Sequence, residues 1–189
     1  KSSVTSSVSL WRALFNSLIV TVPTTVLQVY FATMTAYGLT VYQFKGRDTA
    51  WAFIYAIMMI PTQVSIVGLI KVCDLTNMYG TYWPLIIPAM AAPTTVYFMK
   101  QYMASGLSVE IIEAARIDGA NPVQIFFKIT IPLLVPIFVY VLITSLIGGI
   151  QMFDVPQIIT NGSGAPNRTT MTIIMKLNKH LASKNYGPA

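Results

Sequence analysis

Four long stretches without a charged residue constrain this chain more than any other feature of its sequence. They cover positions 13–44, 49–70, 75–99 and 129–153. Each is long enough to cross a membrane, since about 20 apolar residues span the hydrocarbon core of a bilayer. A soluble helical core of such length would carry charges on its outward face at almost every turn. The pattern therefore predicts an all-α, polytopic transmembrane helical bundle with four visible spans.

The composition supports the same class. Hydrophobic residues make up 54% of the chain and charged residues 10%, whereas about 25% charged is usual in soluble domains. The net charge of +6 does not indicate nucleic-acid binding, because the basic residues are scattered between the apolar stretches instead of lining one face. A single cysteine, Cys73, excludes an internal disulfide. Because the sequence begins at Lys1 and not at a methionine, we expect trimmed ends.

A polar segment at residues 108–132 interrupts the apolar pattern and predicts two short helices joined by a tight corner. Ser108 is a good N-cap, and Gly119 suits the left-handed backbone that often ends a helix. Asn121 followed by Pro122 then supplies a second cap and a first helical position with a preset φ.

The first of these short helices has two different sides. By helical periodicity, Ile111, Ile112 and Ala115 fall on one side. The opposite side is charged and carries Glu110, Glu113 and Arg116. Periodicity alone leaves open a plain surface helix, with a Glu113–Arg116 pair worth roughly a few tenths of a kcal/mol. The small side chains of Ala114 and Ala115 would also allow a partner to approach closely.

Four elements in this segment follow one another at fixed spacing. Glu113-Ala114-Ala115 is followed after three residues by Gly119, and after nine more by Ile129. One residue later comes Ile131-Pro132. This arrangement resembles the EAA loop of bacterial ABC importer permeases, with Ile131 in place of leucine as the single departure. The resemblance implies a MetI-like permease fold, in which residues 109–121 form a cytosolic coupling helix that docks on the ATPase.

The resemblance also implies roles and partners. The residues to which it assigns ATPase coupling are Glu113, Ala114, Ala115, Arg116, Asp118 and Gly119. The implied partners are ATP-binding cassette ATPase subunits, a second permease subunit, an extracytoplasmic solute-binding protein and membrane lipid. The implied location is the bacterial cytoplasmic membrane, with residues 1–189 forming a single permease domain of a larger protein.

Looser motifs concern the transported solute. Phe153-Asp154 and the Thr160-Asn161-Gly162 turn look like the branch of this family that imports sugars. A non-sugar solute carried by the same kind of machine is the first alternative. A polytopic membrane enzyme is the second, although the spans hold no catalytic constellation of His, Asp and Ser. The chain has no phosphate-binding GxxxxGK[ST] motif, so ATP hydrolysis is expected from another subunit, and we expect neither enzymatic activity nor a cofactor.

The predicted topology follows from the cytosolic position of the EAA loop. The spans are expected at about 13–41, 51–70, 83–103 and 127–152, with an outer loop at 71–82. Prolines are expected to kink the second span at Pro61 and to interrupt the third at Pro88 and Pro93. The count of Lys and Arg, five inside and seven outside, disagrees with this orientation, and we give more weight to the motif.

Neutral polar residues at membrane depth are candidates for the solute pathway. They are Gln28, Gln63, Tyr97 and Gln151. Such side chains could bind a polyhydroxylated solute, but hydrogen bonds between helices are the commoner explanation. Within the spans, Asp, Glu, His, Lys and Arg occur only near the ends, as Lys100 and Lys128, which disfavours a proton-coupled transporter. His180 has no second ligand nearby in sequence and is expected to be solvated, so no metal site is predicted.

Alternation of the spans gives a first testable expectation. The loop at 71–82 and the EAA loop should lie on opposite sides of the membrane, whatever the orientation of the chain. Single cysteines in place of Asn77 and Asp118, in a Cys73→Ser background, should react with an impermeant thiol reagent from opposite faces of a sealed membrane. Labelling of both from one face would remove one of the predicted spans.

Overall fold

The computed structural model describes residues 10–107, 109–164 and 170–182, and every regular element in these ranges is a helix. Five side chains within them, those of Leu10, Thr62, Gln63, Val109 and His180, lie outside the description. The first helices are α1 (Leu10–Val41), α2 (Arg47–Met58), α3 (Thr62–Thr76), α4 (Trp83–Met90), α5 (Pro93–Gly106) and α6 (Val109–Ile117). They are followed by α7 (Pro122–Ile125), a π-helical turn (Phe126–Thr130), α8 (Ile131–Leu133), α9 (Val135–Ile150), α10 (Asp154–Ile159) and α11 (Ile173–Ala182).

Within this part of the chain, two helical segments are long and apolar enough to cross a membrane. They are Trp11–Val41, with 31 residues, and Val135–Ile159, with 25 residues. These correspond to the first and last of the predicted spans. The second and third uncharged stretches are also helical, and each is divided into two shorter helices. The prediction of one kinked helix for the second is wrong, whereas an interruption of the third was predicted.

The second stretch breaks at Pro61, where only a kink was expected. Pro61 has φ −59° and ψ 132°, which is an extended conformation, and α3 begins directly after it. A proline lacks the N–H donor of a helix interior and disfavours helical backbone in the preceding residue, here Ile60. The predicted start of the outer loop at Lys71 is also wrong, because α3 continues to Thr76 and ends only where Asn77 adopts a left-handed conformation, φ 51°.

The third stretch breaks between its two prolines and not at them. Pro88 lies inside α4, whereas Ala91 and Ala92 separate α4 from α5. Pro93 occupies the first turn of α5, where the missing N–H costs nothing because no helical acceptor is available there. Pro93 therefore begins a helix, and the sequence prediction that it interrupts one is corrected.

The chain divides into two compact units, each assembled from separated segments. The first comprises the described residues of 1–25, 61–89 and 145–189, and the second comprises 26–60 and 90–144. The expectation of one permease domain over residues 1–189 stays a prediction.

In the first unit, polar side chains of α1 hold the segment that leads into α11. The Asn16 amide donates to the carbonyl of Met171 (3.3 Å) and accepts from the hydroxyl of Tyr82 (3.1 Å). One residue further, the Ser17 hydroxyl accepts from the backbone N–H of Ile173 (3.0 Å). Buried polar groups are therefore used here to join helices, which is the commoner role for neutral polar residues within a membrane.

Close packing of α9 against α1 in the same unit depends on a glycine. A Cβ atom added at Gly149 would lie 2.5 Å from Cγ2 of Thr21, a distance that real side chains do not tolerate. The neighbouring Gly148 has nothing within 4 Å of an added Cβ. The two adjacent glycines therefore differ in what they contribute to packing.

We expect Gly149→Ala to destabilise the fold by about 1–3 kcal/mol through overpacking. Gly148→Ala is the matched control, and should be neutral or slightly stabilising because alanine favours a helix more than glycine does. Thermal unfolding of the purified protein in detergent measures both. A Thr21→Ala substitution should partly restore the stability of the Gly149→Ala protein. Equal stability of the Gly149→Ala and Gly148→Ala proteins would contradict the packing of α9 on α1.

Candidate coupling helix and solute pathway

The predicted corner after α6 is confirmed, and Gly119 forms it. Gly119 has φ +83°, so its backbone is left-handed. The N–H of Gly119 donates to the carbonyl of Arg116 (3.0 Å), and the N–H of Ala120 donates to that of Ala115 (2.9 Å). These two bonds form a Schellman motif, which satisfies carbonyls that the helix end would otherwise leave unpaired. The predicted N-cap at the start of the helix, Ser108, lies outside the described residues.

The second helix of the corner begins with a capping box. The Asn121 side chain accepts from the N–H of Gln124 (2.8 Å), and the Gln124 side chain accepts from the N–H of Asn121 (3.0 Å). Pro122 occupies the first turn, as predicted from the sequence. Helix α7 is thereby started by side chains of its own sequence, and the direction of the chain after Gly119 is locally determined.

A π-helical turn follows where the sequence motif continues to Pro132. The N–H of Ile131 donates to the carbonyl of Phe126, five residues earlier. A proline removes a helical donor and its ring crowds the carbonyl four residues before it, here that of Lys128. A wider turn relieves such crowding, and π-helical turns of this kind are frequent at functional sites.

The buried side of α6 is fixed to the core of the second unit. Ile112 and Ala115 are 3% and 9% exposed, and both belong to a cluster with Met103 and Leu107 of the α5 end. The same cluster includes Ile125 of α7, so both sides of the corner pack on one core. Apolar burial on both sides of Gly119 holds the orientation of α6 relative to α5 and α7.

The opposite side of α6 is exposed. At 100° per residue, the direction opposite to Ile112 and Ala115 is that of Ile117, whose side chain is 86% exposed. The other exposed residues of the helix and its end are Glu110, Ile111, Glu113, Ala114, Arg116, Asp118 and Gly119. We call Glu110, Glu113, Ala114 and Ile117 the docking face, because they surround the direction that points away from the core.

Three sequence inferences about α6 need adjustment. Ile111, assigned to the buried side, is 42% exposed. Ala115, grouped with the coupling residues, faces the core, so its contribution is to packing. Glu113 and Arg116 form no ion pair in the described part of the chain. Sequence reasoning also missed Ile117, although a large apolar residue next to Arg116 on the charged side was a signal that could have identified it.

The solute-pathway candidates make internal contacts where their side chains are described. The Gln28 amide donates to the hydroxyl of Thr95 on α5 (2.5 Å). Tyr97, two residues along α5, stacks on Trp51 with ring centroids 5.8 Å apart. Gln151 is exposed just beyond α9, and the side chain of Gln63 lies outside the described residues. Gln28 thus serves a contact between helices, and a pathway role for these residues stays a prediction.

Comparison with known proteins identifies the family. Residues 28–183 match the model of the binding-protein-dependent transport system inner membrane component. The chain belongs to this family. The resemblance inferred from the EAA spacing is thereby confirmed, and the family is one of membrane transport components and not of enzymes. Residues 109–121, with the corner at Gly119, lie within the matched range.

Relatives in this family are transport permeases. The arabinooligosaccharides transport system permease protein AraQ of Bacillus subtilis is 37% identical over 145 residues, which are 77% of this chain and 51% of that protein. The alpha-glucoside transport system permease protein AglG of Rhizobium meliloti is 34% identical, over 70% of this chain and 37% of that protein. The sn-glycerol-3-phosphate transport system permease protein UgpE of Escherichia coli is 31% identical, over 68% of this chain and 46% of that protein. The chain thus spans about half the length, or less, of these relatives.

A solved structure shares the fold. A chain of a bacterial ABC transporter involved in the import of the acidic polysaccharide alginate superposes with a TM-score of 0.80 and 22% sequence identity. The match covers 96% of this chain and 62% of that chain. The predicted all-α permease fold is therefore confirmed.

The left-handed conformation of Gly119 gives a prediction that can be tested by substitution. Nothing lies within 4 Å of a Cβ added there, so a substitution is resisted by the backbone conformation alone. Gly119→Val should cost about 1–2 kcal/mol at this corner, because a β-branched residue is poorly tolerated at positive φ. Insertion in the membrane should persist, while association with the ATPase should weaken and solute uptake by the assembled importer should be abolished.

Gly119→Asn is the matched control, since asparagine adopts the left-handed conformation more readily than other non-glycine residues. It should retain most of the ATPase association that Gly119→Val loses, as measured by copurification of the ATPase with the permease. Wild-type uptake by the Gly119→Val protein would show that the corner does not set the coupling geometry.

Proposed function

We propose that this chain is the permease part of an ABC importer, and that α6 is its coupling helix. The observation that carries the proposal is the asymmetry of α6. Its Ile112 side is packed into the core, while its docking face is exposed at the position where the family carries its EAA motif. A helix that is anchored on one side and exposed on the other can transmit a movement of its partner to the core.

The docking face has the composition expected of a surface that binds in a cleft of another protein. Ile117 is a large apolar side chain with 86% exposure, and Ala114 beside it is small enough for close approach. Glu113, and Glu110 two turns before Ile117 on the same side of the helix, add charges at the edge of this apolar surface. An apolar centre with a charged rim is the usual anatomy of a protein interface. The partner we propose is the ATP-binding cassette ATPase, which supplies the energy.

The proposed solute is a sugar or a short oligosaccharide. Support comes from relatives named for arabinooligosaccharides and alpha-glucosides, and from the Phe153-Asp154 and Thr160-Asn161-Gly162 motifs. The relative named for sn-glycerol-3-phosphate favours a second candidate, a phosphorylated polyol. Uptake of radiolabelled arabinooligosaccharide and of sn-glycerol-3-phosphate by cells carrying the complete transporter distinguishes the two solute classes.

The remaining partners follow from the same proposal. A second permease subunit would complete the translocation pathway, and an extracytoplasmic solute-binding protein would deliver the solute. The chain would be a multi-pass component of the bacterial cytoplasmic membrane. The family description and the apolar helices support a membrane location.

Substitution of the docking face tests the coupling role. Ile117→Asp should leave the fold intact, because the side chain is exposed, and should abolish ATPase association by placing a charge at the apolar centre of the interface. We expect at least a tenfold loss of uptake, which corresponds to about 1.4 kcal/mol or more of lost interaction.

Val123→Asp is the matched control for this substitution. Val123 is 63% exposed and lies on α7, just past the corner and outside the docking face. Its replacement should leave copurification of the ATPase unchanged. An equal loss in both variants would indicate a general effect of added charge, and the assignment of α6 as the coupling helix would then fail.

A further inference from the structure

A cavity of about 210 Å³ opens between α1, α2 and α5 in the second unit. Its polar lining comes from Thr40 near the end of α1, Arg47 and Asp48 at the start of α2 and Lys100 in α5, with Trp51 beside them. None of these residues belongs to the docking face or to the candidate solute pathway. The cavity is therefore a separate feature that the proposed transport function does not explain.

Lys100 is held in this cavity by an aromatic ring. Its ammonium nitrogen lies 4.2 Å from the centroid of the Trp51 ring, which is a cation–π contact. Two further rings neighbour that of Trp51: Tyr97 is stacked with an angle of 10° between the ring planes, and Tyr55 is tilted with its centroid 6.5 Å away. Within the described part of the chain, no carboxylate lies at ion-pair distance from Lys100. The ammonium is therefore positioned without being neutralised by an acid.

Arg47 supplies a second cation from another helix. Its Nε donates to the carboxylate of Asp48 at 3.3 Å, and the side chain of Asp48 is 92% exposed. This contact uses one of the five N–H donors of the guanidinium, so the terminal NH₂ groups can still donate to another anion. Two cations and one acid leave the lining of the cavity positive.

Thr40 adds a neutral donor to the same cavity. Its hydroxyl oxygen is buried and has no hydrogen-bond partner among the described residues. A buried hydroxyl without a partner is unfavourable, and rotation of the Thr40 side chain toward the cavity would let it donate to a bound anion. An ammonium and a guanidinium that line the same cavity are donors that recognise a phosphate group.

The lining also suggests what carries that phosphate. Tryptophan and basic residues at the ends of membrane helices are typical of the interface, where lipid headgroups lie. Leu39 and Ala104 complete the wall with apolar surface that suits the glycerol and upper acyl region of a lipid. Helix α5 leads directly into α6, so the cavity lies toward the coupling-loop end of α5. On the proposed function this end faces the cytoplasm, so the lipid would belong to the cytoplasmic leaflet. Phosphate binding by the cavity does not depend on the proposed function.

We propose that this cavity binds the phosphate group of an anionic phospholipid. Binding would brace α5 on the side that carries Lys100, while Met99 and Met103 on the adjacent side contact the core to which α6 is fixed. The lipid would thus stabilise the helix that supports the coupling helix. The chemistry is that of a phosphate anion, and a phosphate dissolved in the cytosol would share it.

Fluorescence quenching of Trp51 tests the proposal without any measurement of transport. The sequence contains three tryptophans, Trp11, Trp51 and Trp83. Trp11→Phe together with Trp83→Phe therefore leaves Trp51 as the single tryptophan. The protein is placed in nanodiscs that contain phosphatidylglycerol or phosphatidylcholine with brominated acyl chains. We expect phosphatidylglycerol to quench more strongly, and each of Lys100→Gln and Arg47→Gln to weaken its relative binding about fivefold.

Matched variants distinguish specific binding in the cavity from a general attraction of anionic lipid to surface charge. Lys45→Gln removes a cation from the same loop, two residues before Arg47 and outside the cavity, and should leave the lipid preference unchanged. Lys100→Arg keeps the charge and should retain the preference. An equal effect of Lys45→Gln and Lys100→Gln would show charge attraction without a site and would overturn the proposal. Melting curves of each variant exclude unfolding as the cause of lost preference.

Competition with inorganic phosphate distinguishes a lipid phosphate group from soluble phosphate as the ligand. If millimolar phosphate leaves the quenching by phosphatidylglycerol unchanged, the lipid is the ligand, as proposed. If phosphate abolishes the preference in wild type and not in Lys100→Gln, the cavity binds soluble phosphate and the lipid assignment is wrong. No preference between the two lipids and no effect of phosphate would overturn the site itself. None of these outcomes depends on ATPase coupling, so the proposed function is tested separately.

Discussion

A backbone surrounded by lipid must satisfy its own hydrogen bonds, and this requirement governs the fold of the chain. It explains why the uncharged stretches are helical even where prolines interrupt them. At the break before Pro61, the N–H groups of Met59 and Ile60 still donate, to the carbonyls of Ala56 and Ile57 (both 3.1 Å). After the second break, the N–H groups of Thr95 and Val96 both donate to the carbonyl of Ala92. Each interruption is thus confined to a few residues, and the helices resume at once.

The requirement that backbone groups be hydrogen-bonded also applies to the polar corner that joins α6 to α7. Gly119 ends one helix with a Schellman motif, and Asn121 begins the next with a capping box. Local hydrogen bonds therefore define the turn between the two helices independently of tertiary contacts. Burial of Ile112 and Ile125 in one core then converts that local turn into a fixed position for the docking face. The same short helix serves stability and the proposed function, because residues that pack into the core alternate along α6 with residues that face away from the core.

The polar residues of the apolar stretches divide into contacts between helices and surfaces that remain open to a partner. Asn16 and Gln28 are used in hydrogen bonds to other segments of the chain. The positive cavity at Arg47 and Lys100 is different, since its donors exceed its acceptors. That imbalance is the physical basis for assigning it a ligand, whereas balanced contacts such as that of Gln28 with Thr95 are explained by packing.

The sequence by itself determined the helical class, the membrane location of the family and the corner at Gly119. Each of these depends on information that is local or periodic: the distance between charges, the φ preference of glycine and the capping chemistry of Asn121. The spacing of Glu113, Gly119 and Pro132 also identified the family, because fixed spacing survives when the surrounding residues differ. A proline could be read as a disturbance of a helix, but whether it kinks, breaks or begins one depends on the neighbouring turns.

Only the tertiary structure decided which residues of α6 face outward. Periodicity placed Ile111 with Ile112, yet a helix of nine residues buries only the narrow side that meets α5, so Ile111 remains partly exposed and Ile117 fully turned away. The pairing of Lys100 with Trp51 likewise joins positions 49 residues apart in sequence, through the packing of α2 on α5. Sequence patterns describe one element at a time, whereas exposure and charge balance depend on what the other elements cover.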